Sequence, residues 1–232
     1  LEVEVVGWGE GKESWGIEYA LIPGDPLRSQ VWSELDDFLQ ASYLRSDGVV
    51  MPISCACVDS GYATSAVYAF CKKRLARYIF AIKGQGGPGL PVVAAFKRQG
   101  KNRDTPVFPV GVDSVKDLIL TRLLTDSEGP EYCHFPREER LESGRIRGYN
   151  EDYFRGLTAE RRVERKSMGR VYHTWMKRGA HSRNEPLDTR VYATAALEIR
   201  NPDLSKSSRV DDSTSTATTR RAGRRVISRG VS

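Results

Sequence analysis

Asp59 directly follows the apolar run ISCACV, residues 53–58, and precedes Ser60 and Gly61. The run predicts a buried strand that ends at this carboxylate, and ligand sites of α/β sheets collect at such strand ends. Carboxylate oxygens bind hard divalent cations such as Mg²⁺. Aspartate is also a good helix N-cap, so the spacing alone leaves both roles open. The positive end of the following helix is expected to lower the pKa of Asp59 and keep it ionised.

A second carboxylate, Asp188, lies in the stretch RNEPLDTRVYATAAL, residues 183–197, which predicts a helix. The alanines of this stretch would allow the helix to pack closely on a sheet. Glu185 and Asp188 are three residues apart and therefore project on similar sides of the helix. A carboxylate on such a helix could meet Asp59 and complete a cation site. The alternative is that this helix face is simply solvated.

Lys83 ends the apolar stretch YIFAIKG and could direct an ammonium group at a phosphate. It could equally be a strand-end lysine in water. His134 and His173 are both flanked by aromatic residues, which is more typical of core or edge histidines than of catalytic ones. None of these three residues defines a site by itself.

The elements that must position these groups follow from hydrophobic periodicity. Residues 1–24 predict an antiparallel hairpin, because apolar and charged residues alternate along LEVEVVGW before a turn at EGK. The continuous apolar run 49–58 predicts a strand buried on both faces. Further strands are expected at 77–84 and 169–177. Helices are expected at 25–43, at 62–75, from an N-cap at Asp113 or Ser114, and at 184–199. Another helix is expected in the second half of 149–165, and the alternative interpretation is a single helix that begins at Asn150.

This order predicts an α/β fold with a mixed sheet flanked by helices, and it begins with an antiparallel hairpin. A hairpin that feeds parallel strands with helices between them favours an RNase H-like fold. A doubly wound fold is the alternative, although such folds do not normally begin with a hairpin.

The charge is distributed unevenly along the 232 residues, whose formal net charge is +6. Residues 205–232 hold seven Lys or Arg against two Asp, so the rest of the chain is close to neutral. A basic, Ser/Thr-rich segment cannot bury enough apolar surface to fold alone, and we predict a disordered tail here. The tail is expected either to contact nucleic acid or a partner, or to solubilise the chain. Its candidate DNA-binding residues are Arg220, Arg221, Arg224 and Arg225.

Several function classes are excluded or disfavoured. No GxxxxGK[ST] motif links a strand to a helix, so ATP hydrolysis is not expected from these residues. The DSG at Asp59 lacks the glycine pattern of a nucleophilic serine elbow. The four cysteines lack zinc-site spacing and predict buried, reduced thiols. Without a signal peptide or an apolar run of about 20 residues, the expected location is intracellular and not in a membrane.

Seven short motifs together resemble a known family over residues 1–204. Each is weak alone, but they occur in order: LEVEVVGWGEGKESWGIEY, IPGDP, VDSGYAT, AIKG, HFP, YFRGLTAE and RNEPLDTRVYATAAL. The set resembles the C-terminal half of lambda-type phage terminase large subunits, the GpA family. In that family an ATPase motor precedes a nuclease domain of RNase H-like fold. The resemblance implies double-stranded phage DNA as the substrate, the small terminase subunit and the procapsid portal as partners, and the host cytoplasm as the location.

The resemblance also implies roles for individual residues. Terminase nucleases use acidic residues that bind two divalent cations, Mg²⁺ or Mn²⁺, to hydrolyse a phosphodiester. By motif, Asp59 is the central-strand carboxylate and Asp188 the carboxylate of the C-terminal helix, with Glu185 as its alternative. Lys83 would lie beside the scissile phosphate. The implied activity is an endodeoxyribonuclease that cuts concatemeric DNA into genome lengths.

The sequence departs from the family pattern in one respect. The family has another Asp on a strand that precedes the position of Leu1, and Glu2 and Glu4 on the next strand do not replace it. We therefore expect this piece to cleave weakly or not at all by itself. The alternatives are a binding piece that contacts DNA or the portal through its tail, or another RNase H-like enzyme such as a resolvase or transposase.

Overall fold

A computed structural model of the chain describes residues 1–98, 105–137, 140, 144, 146–167 and 169–206. Its strands are β1 (Glu2–Trp8), β2 (Ser14–Leu21), β3 (Ser42–Leu44), β4 (Val50–Pro52), β5 (Ala56–Asp59), β6 (Ile79–Gln85), β7 (Lys97–Arg98), β8 (Pro106–Gly111), β9 (Cys133–His134), β10 (Glu160–Ser167) and β11 (Arg170–Lys177). Its α-helices are α1 (Ser29–Phe38), α2 (Thr64–Lys72), α3 (Val112–Leu123), α4 (Glu151–Leu157) and α5 (Glu185–Arg200). The candidate tail arginines lie outside the described residues.

The predicted N-terminal hairpin is confirmed. β1 and β2 pair antiparallel from Glu2 opposite Leu21 to Trp8 opposite Ser14, with an irregularity after Val5. The short β9 then adds parallel to β2 on its other side. This gives a three-stranded sheet in which β1 is an edge strand.

A second sheet has the order β5-β6-β8-β7. β5, β6 and β8 are parallel, and β7 runs antiparallel at the edge. Ala81 and Ile82 at the centre of β6 are fully buried, which fits a strand covered on both faces. Because the three strands are parallel, their carboxyl ends, which carry Asp59, Lys83 and Gly111, lie along one edge of the sheet.

The mixed α/β architecture is confirmed, but the described strands form four separate sheets rather than one. β1 and β5, the edges of the two larger sheets, both line one cavity of about 1450 Å³. α5 packs against both strands, with Val191 and Ala195 fully buried, and so it joins the two sheets into one molecule. Within the described residues, no helix is long and apolar enough to cross a membrane.

The prediction of one buried strand over 49–58 was wrong. The run is divided between β4 and β5, which belong to different sheets. Val50 and Met51 in β4 are exposed, because β4 pairs only with β3 in a two-stranded sheet. Only the second half of the run, β5, is part of the parallel sheet that carries Asp59.

The helix predicted for the second half of 149–165 is also wrong. The helix α4 occupies the first half, and its N-cap Asn150 accepts a hydrogen bond from the backbone N–H of Tyr153 at 3.0 Å. The second half is β10, which pairs with β11 along its whole length. The expected N-cap of α3 is wrong as well, since the cap position is Gly111 and Asp113 lies inside the first turn.

Candidate active site

Asp59 is the last residue of β5 and is half-buried. Burial raises the pKa of its carboxyl, while the backbone N–H groups of Gly61 and Ser60 and the charge of Lys83 act in the opposite direction. The sequence prediction of a lowered pKa was wrong, because the loss of hydration outweighs these favourable contacts. The folded chain therefore holds this carboxylate at a cost that a bound cation would relieve.

The structure excludes the simple cap role for Asp59. α2 begins at Thr64, and its N-cap residue is Ala63, which has a left-handed backbone and no capping side chain. Gly61 instead lies directly against the carboxylate. A Cβ at this position would be 2.9 Å from Asp59 Oδ2, so the glycine leaves room for the carboxylate.

Asp188 is held by side chains from other elements. Its Oδ1 lies 3.2 Å from Lys116 Nζ on α3, and its Oδ2 accepts a hydrogen bond from Asn184 Nδ2 at 3.0 Å. Both donors also contact Glu160 Oε1, Lys116 at 2.8 Å and Asn184 at 2.6 Å. The side chains of Lys116 and Glu160 are only 8% and 5% exposed, whereas that of Asp188 is 30% exposed. The partners of Asp188 are thus almost dry, and the carboxylate itself is still reached by solvent.

Burial also raises the pKa of Asp188. The charge of Lys116 and its hydrogen bond lower the pKa, whereas the charges of Glu160 and Asp59 raise it further. The opposing effect of Lys116 stabilises the ionised form, and the two hydrogen-bonding partners fix the direction of both carboxylate oxygens.

Tyr192 on α5 is within reach of the charges of both Asp59 and Asp188. Burial raises the pKa of the Tyr192 hydroxyl, and the negative charges of Asp59 and Asp188 raise it further. Tyr192 and Asp59 line the same cavity. Packing of α5 against β5 therefore brings the strand tip and the first turn of the helix to the same side of the molecule.

The other predicted site residues differ in their placement. Lys83 is exposed on β6, beside β5, and its charge acts on Asp59. Glu185 is half-buried at the start of α5 and forms an ion pair with Arg183 Nε at 3.5 Å. Of the two carboxylates in this turn, Asp188 is the one whose charge interacts with Asp59. The catalytic and metal-binding roles of these residues stay predictions.

Sequence reasoning missed Lys116, Glu160, Asn184 and Tyr192. The spacing of Asn184 and Asp188, four residues apart on one helix, was a signal that could have been used. No comparable signal marked Lys116 or Glu160, since charged residues are normally exposed and their burial here depends on tertiary packing.

The oxygen ligands present here suit a cation that keeps part of its water shell better than a cation enclosed entirely by protein ligands. The described residues contain no group of three or more His, Cys, Asp or Glu side chains arranged to hold a metal ion. Mg²⁺ in nucleic-acid enzymes often uses one or two carboxylates and completes its shell with water and phosphate oxygens, which fits Asp59 and Asp188. Glu4 is not available for this role, because it is buried and paired with Arg190 at 2.9 Å.

The chain is similar to known phage proteins. The family model "Terminase large subunit gpA, endonuclease domain" matches residues 1–209. The "Terminase, large subunit" of Escherichia phage lambda is 34% identical over 203 residues, which cover 85% of this chain and 30% of the relative. The protein of the same description from Enterobacteria phage P21 is 28% identical over 205 residues, which cover 86% of this chain and 30% of that relative.

The chain thus spans about 30% of the length of these curated relatives. No solved structure matches it. Since the family model covers all of the described residues, the chain belongs to the family of terminase large subunit gpA endonuclease domains.

Proposed function

We propose that this chain is a metal-dependent DNA endonuclease domain in which Asp59 and Asp188 bind the divalent cations. The observation that carries the proposal is the packing of α5 against β5, which brings Asp59 and the turn that holds Asp188 to one side of the molecule, in a chain of this nuclease family. Neither aspartate is a simple surface residue, because burial raises the pKa of both.

Two bound divalent cations, Mg²⁺ or Mn²⁺, would supply an activated water and stabilise the leaving oxygen of the phosphodiester. The protein's own part is to position oxygen ligands and attract the substrate. Lys116 and Asn184 orient the two oxygens of Asp188. The exposed ammonium of Lys83 lies where it can contact a phosphate as the strand approaches Asp59.

The proposal includes an RNase H-like sheet. β1 and β5 are both edge strands, line the same cavity and pack against α5. An extended segment preceding Leu1 that ran antiparallel to β1 and parallel to β5 would pair with both edges. It would join the two sheets into one mixed sheet and bring the further Asp implied by the family resemblance towards Asp59.

The biological role follows from the relatives. We propose that the full-length protein cuts concatemeric double-stranded phage DNA into genome lengths during packaging in the host cytoplasm. The small terminase subunit and the procapsid portal are its proposed partners. The lambda and P21 relatives, both terminase large subunits, support this assignment.

The test is nicking of supercoiled DNA with Mg²⁺ or Mn²⁺, measured for this chain and for a chain extended upstream by the predicted strand. The extended chain should cut well above the chain alone, and Asp59→Asn and Asp188→Asn should abolish its activity. Glu185→Gln is the matched control, since it removes a charge from the same turn of α5. Equal activity of the two chains would refute the added strand, and absence of cutting from both would favour a role in DNA or portal binding alone.

A further inference from the structure

β10 and β11 form a two-stranded antiparallel ribbon outside both larger sheets. Their register runs through eight pairs, from Glu160 opposite Lys177 to Ser167 opposite Arg170. Among the described residues, no other strand pairs with the ribbon. Eight residues at about 3.3 Å each give it a length of roughly 26 Å.

The ribbon is strongly basic. Residues 160–178 contain seven Lys or Arg and only two Glu, a net charge of +5. The rest of residues 1–204 holds 22 Lys or Arg against 26 Asp or Glu, a net charge of −4, so the positive charge is concentrated on this element. The basic residues are Arg161, Arg162, Arg165, Lys166, Arg170, Lys177 and Arg178.

Three of the arginines share one face. Side chains alternate along a strand and cross-strand partners lie on the same side, so Arg161, Arg165 and Arg170 project together. All three are exposed, and within the described part of the chain none has a carboxylate partner. We call these three residues the arginine face.

On the opposite face of the ribbon, basic side chains are paired with carboxylates, and side chains connect the ribbon to α3. There Arg162 pairs with Asp117 on α3 at 3.3 Å, and Lys166 pairs with Glu164 at 3.8 Å. Trp175 Nε1 also donates a hydrogen bond to Asp117 at 3.0 Å. On the arginine side, Thr174 donates a hydrogen bond to Asp113 on α3 at 3.3 Å. The ribbon is therefore fixed to α3 from both faces, while the three arginines of the arginine face remain exposed.

The base of the ribbon is part of the candidate active site. Glu160, its first residue, contacts Lys116, which in turn contacts Asp188. The end of the ribbon that carries Arg161 is therefore the end next to Asp188.

Resting on the proposed nuclease function, we propose that the arginine face binds the phosphate backbone of duplex DNA and delivers it to the site. Arginine is well suited to bidentate phosphate contacts. The ribbon is also of a size that the major groove, about 12 Å wide, admits. Single strands are bound largely by stacking on aromatic side chains, and Tyr172 and Trp175 of the ribbon are half-buried, which favours the duplex.

The test is binding of a labelled 20-base-pair duplex to the 232-residue chain in EDTA, followed by fluorescence anisotropy over a salt series. The triple variant Arg161→Gln/Arg165→Gln/Arg170→Gln should raise Kd at least about tenfold. It should also lower the slope of log Kd against log salt by about 2.7, because three phosphate contacts are lost. The control triple Arg28→Gln/Lys73→Gln/Arg155→Gln removes the same charge from exposed sites elsewhere and should change Kd less than about twofold.

Equal effects of the two triple variants on the Kd for the duplex would overturn the proposal. It would also be overturned if the ribbon triple lost as much affinity for single-stranded DNA as for the duplex, or more. Circular dichroism of both triples checks folding. If the ribbon triple is unfolded, the single variant Arg165→Gln is measured instead. It should lower the slope of log Kd against log salt by about 0.9.

The nuclease proposal is tested separately, by metal-dependent cutting with the chain extended upstream. Weakened duplex binding by the arginine-face triple, together with no cutting by the extended wild-type chain, would refute the nuclease and leave the arginine face. Cutting by the extended chain with unchanged duplex binding by the triple would do the reverse.

Discussion

The two aspartates of the candidate site are held in different ways. Asp59 is fixed mainly by the main chain, at the end of β5 and against Gly61, and its nearest opposing charge, Lys83, is exposed. Asp188 is fixed by a network of side chains, in which the buried Lys116 is the central donor. The difference indicates that Asp59 is kept ready for a ligand from solution, whereas Asp188 is oriented by the protein itself.

The largest expected effect is on DNA cleavage, and it is the same for Asp59 and Asp188. In the chain extended upstream, Asp59→Asn and Asp188→Asn should each lower Mg²⁺-dependent cleavage by about 1,000-fold, equivalent to about 4 kcal/mol, because each removes an anionic cation ligand. Initial rates of supercoiled-plasmid nicking measure this. Wild-type rates for either variant would show that its carboxylate does not bind the catalytic metal.

Lys116→Met tests whether the surroundings of Asp188 contribute more to stability than those of Asp59. The change leaves Glu160 and Asp188 without their shared ammonium in a buried network, which should cost about 3 kcal/mol in the free energy of unfolding. Urea denaturation measures the cost. Lys83→Met is the control, because Lys83 is exposed and its loss should change stability by less than about 0.5 kcal/mol. Similar costs for the two variants would contradict the difference between the two environments.

Gly61→Ala tests the main-chain support of Asp59. Its Cβ would displace the Asp59 carboxylate, and a shift of about 1 Å can reduce a rate by about 100-fold. Because a flexible side chain can yield, the free energy of unfolding should change by less than about 1 kcal/mol. Gly7→Ala is the matched control, since its Cβ would meet Ile17 at an ordinary 3.5 Å. Unchanged cleavage in Gly61→Ala would show that Asp59 need not be held in this position.

The smallest effect is on stability as a function of pH. The pKa of Asp59 is raised in the folded chain, so its ionisation disfavours folding progressively as pH rises through and above the unfolded value of 3.8. Asp59→Asn should therefore raise Tm at pH 7, and this gain should shrink as the pH is lowered towards 4. Added Mg²⁺ should raise the Tm of the wild type but not of the variant. A gain in Tm that does not depend on pH would show that it does not come from the ionisation of Asp59.

Local patterns predicted the end of a strand at Asp59 and the helix α5, because the apolar run before Asp59 and the helical spacing of α5 are both short-range features. They did not predict that the run is divided between β4 and β5, which depends on pairing with different strands. The segment around β10 was misread for a related reason. Its Glu and Arg residues are good helix formers, and only pairing with β11 decides in favour of a strand. The network around Lys116 was not predictable, since it joins residues 116, 160, 184 and 188, which no local pattern connects.

The most direct test of the metal-site claim is to soak Mn²⁺ into crystals of the extended chain and locate it by its anomalous scattering. The account predicts Mn²⁺ with carboxylate oxygens of both Asp59 and Asp188 at about 2 Å. Mn²⁺ bound at other carboxylates such as Glu185, with both aspartates uncoordinated, would contradict it.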